Sequence, residues 1–146
     1  RTTQQFKSLG SLPSYLLGLF ATLVSYRNQE VTITIDGEEI SPKICTVIMN
    51  NGRYGGGGMH TAPGADLSDG LFDVLIIGNL GKADLLRSLP RIYKGTHLTH
   101  PRVTLRRARE VKIFTKGRLP WQADGELLGE APASFRILPE ALNVIV

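Results

Sequence analysis

The tripeptide Asp-Gly-Glu occurs twice in the sequence, at residues 36–38 and 124–126. Asp-Gly supplies the two positive-φ positions of a tight turn, so turn chemistry alone explains either copy. The second copy differs because it follows Trp121, a bulky apolar residue that would place the carboxylates of Asp124 and Glu126 at the rim of a partly desolvated cleft. A carboxylate in that position can act as a general base toward a substrate hydroxyl.

A second group of carboxylates lies between Pro63 and Asp73. Asp66, Asp69 and Asp73 surround a glycine turn within eight residues. This density suits a hard cation that is held by side-chain and main-chain oxygens, although the loop lacks the ligand number and terminal Glu of an EF-hand. An Asp-rich turn that caps its own amides is the alternative.

Four consecutive glycines, Gly55 to Gly58, form the most unusual stretch. Bare N–H groups there could cradle a phosphate, but the pattern is neither a Walker A loop nor a dinucleotide fingerprint. A strand with a glycine bulge that packs against another element is the alternative. His97 and His100 lack the third ligand of a catalytic zinc site, and we expect them to be loop histidines.

The hydrophobic periodicity predicts the elements that position these residues. Helices are expected from Leu12 to Tyr26, as a docking or core helix, and from Leu80 to Tyr93 with an interruption at Pro90. Val31 to Ile35 should enter a hairpin turn at Asp36-Gly37, with Ile44 to Met49 as the return strand. Further strands are predicted at Phe72 to Ile77, Val103 to Arg106, Glu110 to Phe114, Ser134 to Leu138 and Asn143 to Val146. The fold class is mainly β, an antiparallel β-sandwich with two accessory helices.

The composition bounds the class of protein. A chain of 146 residues has the length of one domain with its own core, and 42% hydrophobic and 21% charged residues exclude disordered, collagenous and membrane classes. The single cysteine, Cys45, excludes a disulfide framework and a cysteine-based zinc site, and fits a reducing compartment. The sequence opens with Arg1 rather than Met, so we expect it to be trimmed or part of a longer polypeptide.

Basic residues are concentrated in one stretch of a chain whose formal net charge is +4. The stretch contains Arg102, Arg106, Arg107, Arg109, Lys112, Lys116 and Arg118 against one acid, Glu110. It favours either an anionic partner or a solvated strand face. Nucleic acid is not expected, because no aromatic residues are interleaved as stacking platforms there.

Several motifs occur in an order that resembles a known family. They are Asn51-Gly-Arg-Tyr-Gly-Gly-Gly-Gly-Met59, Ala62 to Val74, Gly95-Thr-His97, the second Asp-Gly-Glu and Ile137 to Leu142. In this order and spacing they resemble the C-terminal domain of the bacterial diacylglycerol kinase-like lipid kinases, relatives of the sphingosine and ceramide kinases. The resemblance covers nearly the whole chain.

The resemblance implies a two-domain enzyme that transfers the γ-phosphoryl group of ATP to a lipid hydroxyl, with diacylglycerol giving phosphatidic acid. Residues 1–146 would be its C-terminal domain, with residues 1–27 as a helical lead-in. The N-terminal nucleotide-binding domain, with its Gly-Gly-Asp-Gly motif, is absent, so the chain alone is expected to be inactive. The rival interpretation is a non-catalytic lipid- or anion-binding β-domain without a nucleotide-binding half.

By the same resemblance, Glu126 is the proton acceptor and Asp124 shares or organises that role. Structural Mg²⁺ falls on the loop from Asp66 to Leu71, with the Asp69 carboxylate and the main-chain oxygens of Asp66 and Leu71 as ligands. Tyr54 matches an aromatic that precedes the family's glycines, whereas Gly55 replaces a second one.

The expected partners are the lipid substrate and ATP, the latter bound mainly by the missing domain. The basic stretch from Arg102 to Arg118 would orient the enzyme on an anionic bilayer. The expected location is therefore cytoplasmic and peripheral to the membrane. The sequence leaves open whether the protein forms a homodimer.

Overall fold

The computed structural model describes residues 27–142, which form two four-stranded antiparallel sheets, a separate two-stranded hairpin and one α-helix. The strands are β1 Gln29–Glu30, β2 Thr32–Ile35, β3 Glu38–Ile40, β4 Lys43–Asn50, β5 Phe72–Gly78, β6 Val103–Ala108, β7 Glu110–Phe114, β8 Pro120–Ala123, β9 Glu126–Glu130 and β10 Ala133–Arg136. The helix is α1 Lys82–Lys94, and 3-10 turns lie at Gly56–Gly58 and His97–Thr99. The predicted first helix, Leu12 to Tyr26, and the predicted last strand, Asn143 to Val146, lie outside the described residues.

The two sheets confirm the predicted mainly β, antiparallel fold. The first sheet has the order β1-β4-β5-β6, and the second has the order β10-β7-β2-β3. Their facing sides share one hydrophobic core, which contains Ile33, Val74, Ile76, Val111 and Ile113. The burial of β2 and β7 alternates residue by residue, as expected for strands with one face on the core and one in water.

Strand β5 is buried on both faces, which explains its run of apolar residues without alternation. Val74 and Ile76 face the second sheet, whereas Leu75 and Ile77 pack with Ile92 of α1 in a second core. The chain therefore builds three layers, the helix, the first sheet and the second sheet. No helix within residues 27–142 is long and apolar enough to cross a bilayer.

Gly95 ends α1 in a Schellman motif. Gly95 has a φ of +70°, its N–H donates to the Ile92 carbonyl, and the Thr96 N–H donates to the Arg91 carbonyl at 2.9 Å. A Cβ at residue 95 would lie 2.7 Å from Nδ1 of His60, so both conformation and space require glycine. This ending directs the chain back toward the sheet and delivers His97.

The predicted first hairpin is wrong in its return strand. Asp36 and Gly37 form a two-residue turn that pairs Ile35 directly with Glu38, so β3 is the return strand. Pro42 then separates β3 from β4, and residues 44–49 pair with β5 in the other sheet.

Two other boundaries differ from the prediction. Helix α1 continues through Pro90, because Pro90 is exposed and the Leu86 carbonyl that loses its donor can be hydrated. The helix also begins at Lys82 rather than Leu80, since Leu80 is instead buried in the core below the helix. The other strands predicted within the described residues are confirmed to within two residues at each end.

Candidate functional site

The two Asp-Gly-Glu copies adopt the same turn. Asp36 and Asp124 have φ values of 47° and 50°, and the glycine after each has a φ of 90°. Each copy joins two antiparallel strands, as the sequence predicts. The backbone conformation of the turn residues therefore does not distinguish the two copies.

The carboxylates of the first copy are used within the fold. Asp36 Oδ1 accepts hydrogen bonds from the N–H groups of Arg109 and Glu110, at 3.0 and 2.8 Å. Glu38 pairs with both terminal nitrogens of Arg106, and this contact holds the pKa of the Glu38 carboxyl below its usual range. The first copy thus ties the β2–β3 hairpin to β6 of the other sheet and to the start of β7.

The carboxylates of the second copy are exposed and have no hydrogen bond or ion pair with any of residues 27–142. Asp124 occupies the turn, and Glu126 begins β9. Trp121 lies at the base of this hairpin, where its ring meets Phe135 edge to face. The expected partly desolvated rim is therefore not formed by the residues described.

The Asp-rich loop contains one carboxylate that bonds within the loop and another in which only one oxygen accepts a hydrogen bond. Asp66 Oδ1 accepts from the Ser68 N–H at 2.9 Å and from its hydroxyl at 2.7 Å, and these bonds lower the pKa of Asp66. Asp69 Oδ1 accepts from the Leu71 N–H at 2.9 Å, but Asp69 Oδ2 is buried without a hydrogen-bond partner.

A polar row crosses the end of the first sheet beside this loop. Asn50, Asp73 and Arg107 are direct cross-strand neighbours on β4, β5 and β6. Arg107 Nε lies 3.4 Å from Asp73 Oδ1, its Nη1 lies 3.9 Å from Asp69 Oδ2, and its Nη2 donates to the Gly64 carbonyl at 2.9 Å. Because Asp73 is only 1% exposed, Arg107 provides the countercharge for a buried carboxylate and ties it to the loop.

The oxygen atoms of this loop are of the kind that bind Mg²⁺. Asp69 Oδ2 is a buried carboxylate oxygen that accepts no hydrogen bond within residues 27–142. The main-chain carbonyls of the loop are close to Asp69 in the sequence. Mg²⁺ bound by one carboxylate and few protein oxygens keeps several waters. The Asp66 carboxylate is not part of this set, because it is used by Ser68. No group of three or more His, Cys, Asp or Glu side chains in the described part of the chain could hold a metal.

The glycine run is a closed turn rather than a bulged strand, so the alternative of a glycine bulge is wrong. The Gly55 N–H donates to the Met59 carbonyl at 2.9 Å, and Gly57 and Gly58 have φ values of 70° and 82°. A Cβ at residue 55 would lie 3.2 Å from the Thr61 hydroxyl oxygen, so Gly55 packs closely against Thr61 at the position where the family has its second aromatic. Tyr54 stacks on His60 with ring centroids 4.5 Å apart.

A chain of buried hydrogen bonds joins the glycine run to the polar row. His97 Nε2 contacts the Thr61 carbonyl at 3.1 Å, and the Thr61 hydroxyl donates to Asn50 Oδ1 at 2.7 Å. The Asn50 side-chain amide donates to the Asp73 carbonyl at 3.2 Å. His97 is therefore a buried structural residue, and burial lowers its pKa.

The structure brings the glycine run and the Asp-rich loop together. Arg53 Nε donates to the Ala65 carbonyl at 3.2 Å, and the Ala62 N–H donates to the Arg53 carbonyl at 3.1 Å. No hydrogen bond or ion pair within residues 27–142 joins Asp124 or Glu126 to either segment. The predicted metal loop and the predicted base are thus attached to the sandwich separately.

Sequence analysis missed the roles of Asn50, Thr61, Asp73 and Arg107 in this network. A detectable signal was present, because Asp73 interrupts an otherwise apolar strand. Four members of the basic stretch form ion pairs within the described residues, namely Arg106, Arg107, Lys112 and Arg118.

Known proteins resemble this chain in sequence and in fold. Residues 1–146 match the family described as the YegS C-terminal NAD kinase beta sandwich-like domain. A protein named diacylglycerol kinase from Mycobacterium tuberculosis is 33% identical over 132 residues, which cover 90% of this chain and 42% of the relative. One of the same name from Bacillus subtilis is 29% identical and covers 94% of this chain and 45% of the relative.

A crystal structure titled as a diacylglycerol kinase from Bacillus anthracis shares the fold, with a TM-score of 0.61 at 18% identity. The alignment covers 82% of this chain and 43% of that one. The chain therefore spans less than half the length of these relatives.

The buried position of His97 makes stability depend on pH. Burial lowers the pKa of His97 in the folded state below its value near 6.5 in the unfolded chain. At a pH between these two pKa values, the unfolded chain binds a proton at His97 that the folded chain does not bind. Stability should be full above about pH 6.5 and should fall on acidification by up to about 1.4 kcal/mol per pH unit. Urea unfolding from neutral pH down to about pH 5 measures this slope. His97→Gln should remove it and His100→Gln should keep it; a slope unchanged in His97→Gln would contradict the assignment.

Proposed function

The chain belongs to the family of the YegS C-terminal NAD kinase beta sandwich-like domain, and from this premise we propose that it is the lipid-substrate domain of an ATP-dependent lipid kinase. The proposed reaction transfers the γ-phosphoryl group of ATP to the free hydroxyl of diacylglycerol and gives phosphatidic acid and ADP. The names of the two bacterial relatives support this substrate. Their greater length supports a nucleotide-binding domain in the same polypeptide.

The observation that carries the proposal is the contrast between the two Asp-Gly-Glu turns. Asp36 and Glu38 are held by backbone amides and by Arg106, whereas Asp124 and Glu126 have no partner within residues 27–142. Turn formation needs only the Asp-Gly pair, so the Glu126 carboxylate has no structural task in the described fold. A carboxylate without a structural partner is available for proton transfer.

In the proposed mechanism, the hydroxyl oxygen of the lipid attacks the γ-phosphorus of ATP and ADP departs. Glu126 accepts the proton that the hydroxyl loses. Phosphoryl transfer proceeds through a loose transition state, so the protein acts mainly by alignment and by neutralising charge. Asp124, two residues away in the same turn, shares or organises the role of proton acceptor in this proposal. ATP and its own metal are held by the nucleotide-binding domain.

We further propose that Asp69 holds a structural Mg²⁺, with the main-chain oxygens of Asp66 and Leu71. Bound there, the ion would fix the turn that leads into β5 and would not touch the phosphates. The buried Asp69 Oδ2, which lacks a hydrogen-bond donor, supports this assignment. Arg107 at 3.9 Å balances part of the charge on the same oxygen.

The proposed location is the cytoplasmic face of a membrane, where the domain binds peripherally. Arg109 and Lys116 support this proposal, because both are exposed and neither forms an ion pair within the described residues. The paired members of the basic stretch contribute less, since their charges are already balanced.

The identity of the base is tested in the full-length polypeptide by Glu126→Gln. Loss of the proton acceptor should lower kcat for diacylglycerol phosphorylation by about 10²–10⁴-fold. Glu38→Gln is the matched control, because it makes the same change at the equivalent position of the other Asp-Gly-Glu turn. The kcat of Glu38→Gln should stay near the wild-type value. Normal activity in Glu126→Gln would refute the role, and a wild-type protein that binds lipid without ATP-dependent phosphorylation would favour the non-catalytic domain.

The magnesium site is tested on the chain itself by thermal unfolding in Mg²⁺ and in EDTA. Mg²⁺ at a hundred times its Kd should stabilise the fold by about 2.7 kcal/mol. Asp69→Asn should abolish this gain, whereas Asp66→Asn should keep it, because the proposed ligand at residue 66 is a main-chain oxygen. The assignment is wrong if both variants respond to Mg²⁺ as the wild type does.

Membrane binding is tested by sedimentation with phosphatidylserine-containing vesicles at low salt. Arg109→Glu combined with Lys116→Glu should weaken partitioning by about 2 kcal/mol, or about 30-fold, given about 1 kcal/mol for each basic residue near the surface. The control reverses two exposed basic residues of α1, Arg91 and Lys94, which likewise form no ion pair within the described residues, and should bind as the wild type does. Equal losses in the two double variants would indicate a net-charge effect rather than a binding surface.

A further inference from the structure

We propose that Trp121 is a positioning residue, which sets the direction in which the β8–β9 hairpin presents Glu126. The proposal rests on the proposed function of Glu126 as the base.

The hairpin needs such an attachment. Strands β8 and β9 form a sheet of their own and extend neither of the four-stranded sheets. A two-stranded hairpin is at best marginally stable by itself, so its direction depends on contacts at its base. Beyond the base it gains little from burial, because Leu127 and Leu128 are 73% and 54% exposed.

The indole of Trp121 is enclosed on two sides. Gly129 lies directly across in the register, and a Cβ there would be 2.9 Å from Nε1 and 3.3 Å from Cε2 of the ring. On another side the ring meets Phe135 edge to face, with centroids 5.1 Å apart and planes at 87°. Phe135 belongs to β10 and packs against the sandwich core, so the indole connects the hairpin to the rigid part of the molecule.

The pairing of the two strands changes immediately after this contact. Trp121 pairs with Gly129 but Gln122 pairs with Leu127, so Leu128 is an extra residue in a β-bulge. A bulge bends its strand and changes the direction of the side chains beyond it. Glu126 lies beyond the bulge, so its direction depends on where the bulge is held.

The other contacts at the base fix where the hairpin starts rather than its direction. Gln29 Nε2 of β1 donates to the Arg118 carbonyl at 2.9 Å and holds the residue at which the chain leaves the sandwich. The Arg118–Glu130 ion pair and the hydrogen bond from the Ala131 N–H to the Leu119 carbonyl join the two sides of the hairpin to each other. An exposed ion pair also contributes at most about 1 kcal/mol. Leu119 packs on the core and fixes where the chain leaves the sandwich, whereas Trp121 on Phe135 fixes the angle.

Gly129→Ala tests the proposal, because its methyl group would displace the ring. Gly117→Ala is the matched control, since a Cβ there meets only ordinary contacts, the nearest at 3.5 Å. Trp121→Phe added to Gly129→Ala is the rescue, because the smaller ring leaves room for the methyl group. Phe135→Leu is a second way to remove the contact if Gly129→Ala does not fold.

The direction is measured by the distance between spin labels at Glu126→Cys and Lys112→Cys in a Cys45→Ser background, using pulsed electron paramagnetic resonance. We expect one narrow distance in the parent and in Gly117→Ala. In Gly129→Ala and Phe135→Leu the distance should shift or broaden, and the rescue should restore it. An unchanged distance in these two variants would overturn the proposal whatever the activity.

Activity is measured with unlabelled full-length variants that retain Glu126. Gly129→Ala should lower kcat by about 10²-fold through misplacement of the base, with KM for ATP unchanged and kcat recovered in the rescue. Normal kcat with a shifted label distance would show that the direction does not matter for catalysis and would also overturn the proposal. A wild-type polypeptide without kinase activity would instead refute the proposed function, while the label distances would still decide whether Trp121 sets the direction.

Discussion

The burial of strand β5 on both faces is the constraint on which the rest of the described structure depends. Val74 and Ile76 on one face and Leu75 and Ile77 on the other join the sandwich core to the helix core. A strand with no face in water has little freedom to slip, since a one-residue shift would exchange the two cores. Asp73 is consequently held at the start of β5, where Asn50 and Arg107 are its neighbours in the register. The polar row, and through it the Asp-rich loop, takes its position from this strand.

The polar row shows how a buried charge can organise loops that contribute little to a hydrophobic core. Asp73 cannot be hydrated, so Arg107 must remain beside it, and the same guanidinium then holds Gly64 and approaches Asp69. On the other side, Asn50 orders the Thr61 hydroxyl, and His97 holds the Thr61 carbonyl. The glycine run and the Asp-rich loop are both anchored in this way at one end of the first sheet.

The sequence predicts most of the fold because its signals are local. Alternation in β2 and β7, the apolar run of β5 and both Asp-Gly turns can be read within a few residues. The partner of a strand is not set locally, so residues 44–49 carry no local signal that they pair with β5 rather than with β2. The network of Asn50, Asp73 and Arg107 arises only when three separate strands adopt their register. The difference between Glu38 and Glu126 was equally hidden, since it depends on Arg106 lying next to one of them.

The exposure of Glu126 indicates that, under the proposed function, the active enzyme includes polypeptide beyond the residues described. In water a carboxylate is screened, and its attraction for a hydroxyl proton competes with hydrogen bonds to solvent. A general base becomes effective when the substrate and the surrounding polypeptide exclude that water. Residues 27–142 supply the hairpin and its attachment but leave the carboxylate exposed. The relatives are more than twice as long as this chain, which accords with a site whose enclosure comes from additional polypeptide. Under the proposed positioning role, the attachment at Trp121 is the contribution that this chain itself makes, because an enclosing domain can exclude water around a base only where that base has a fixed position.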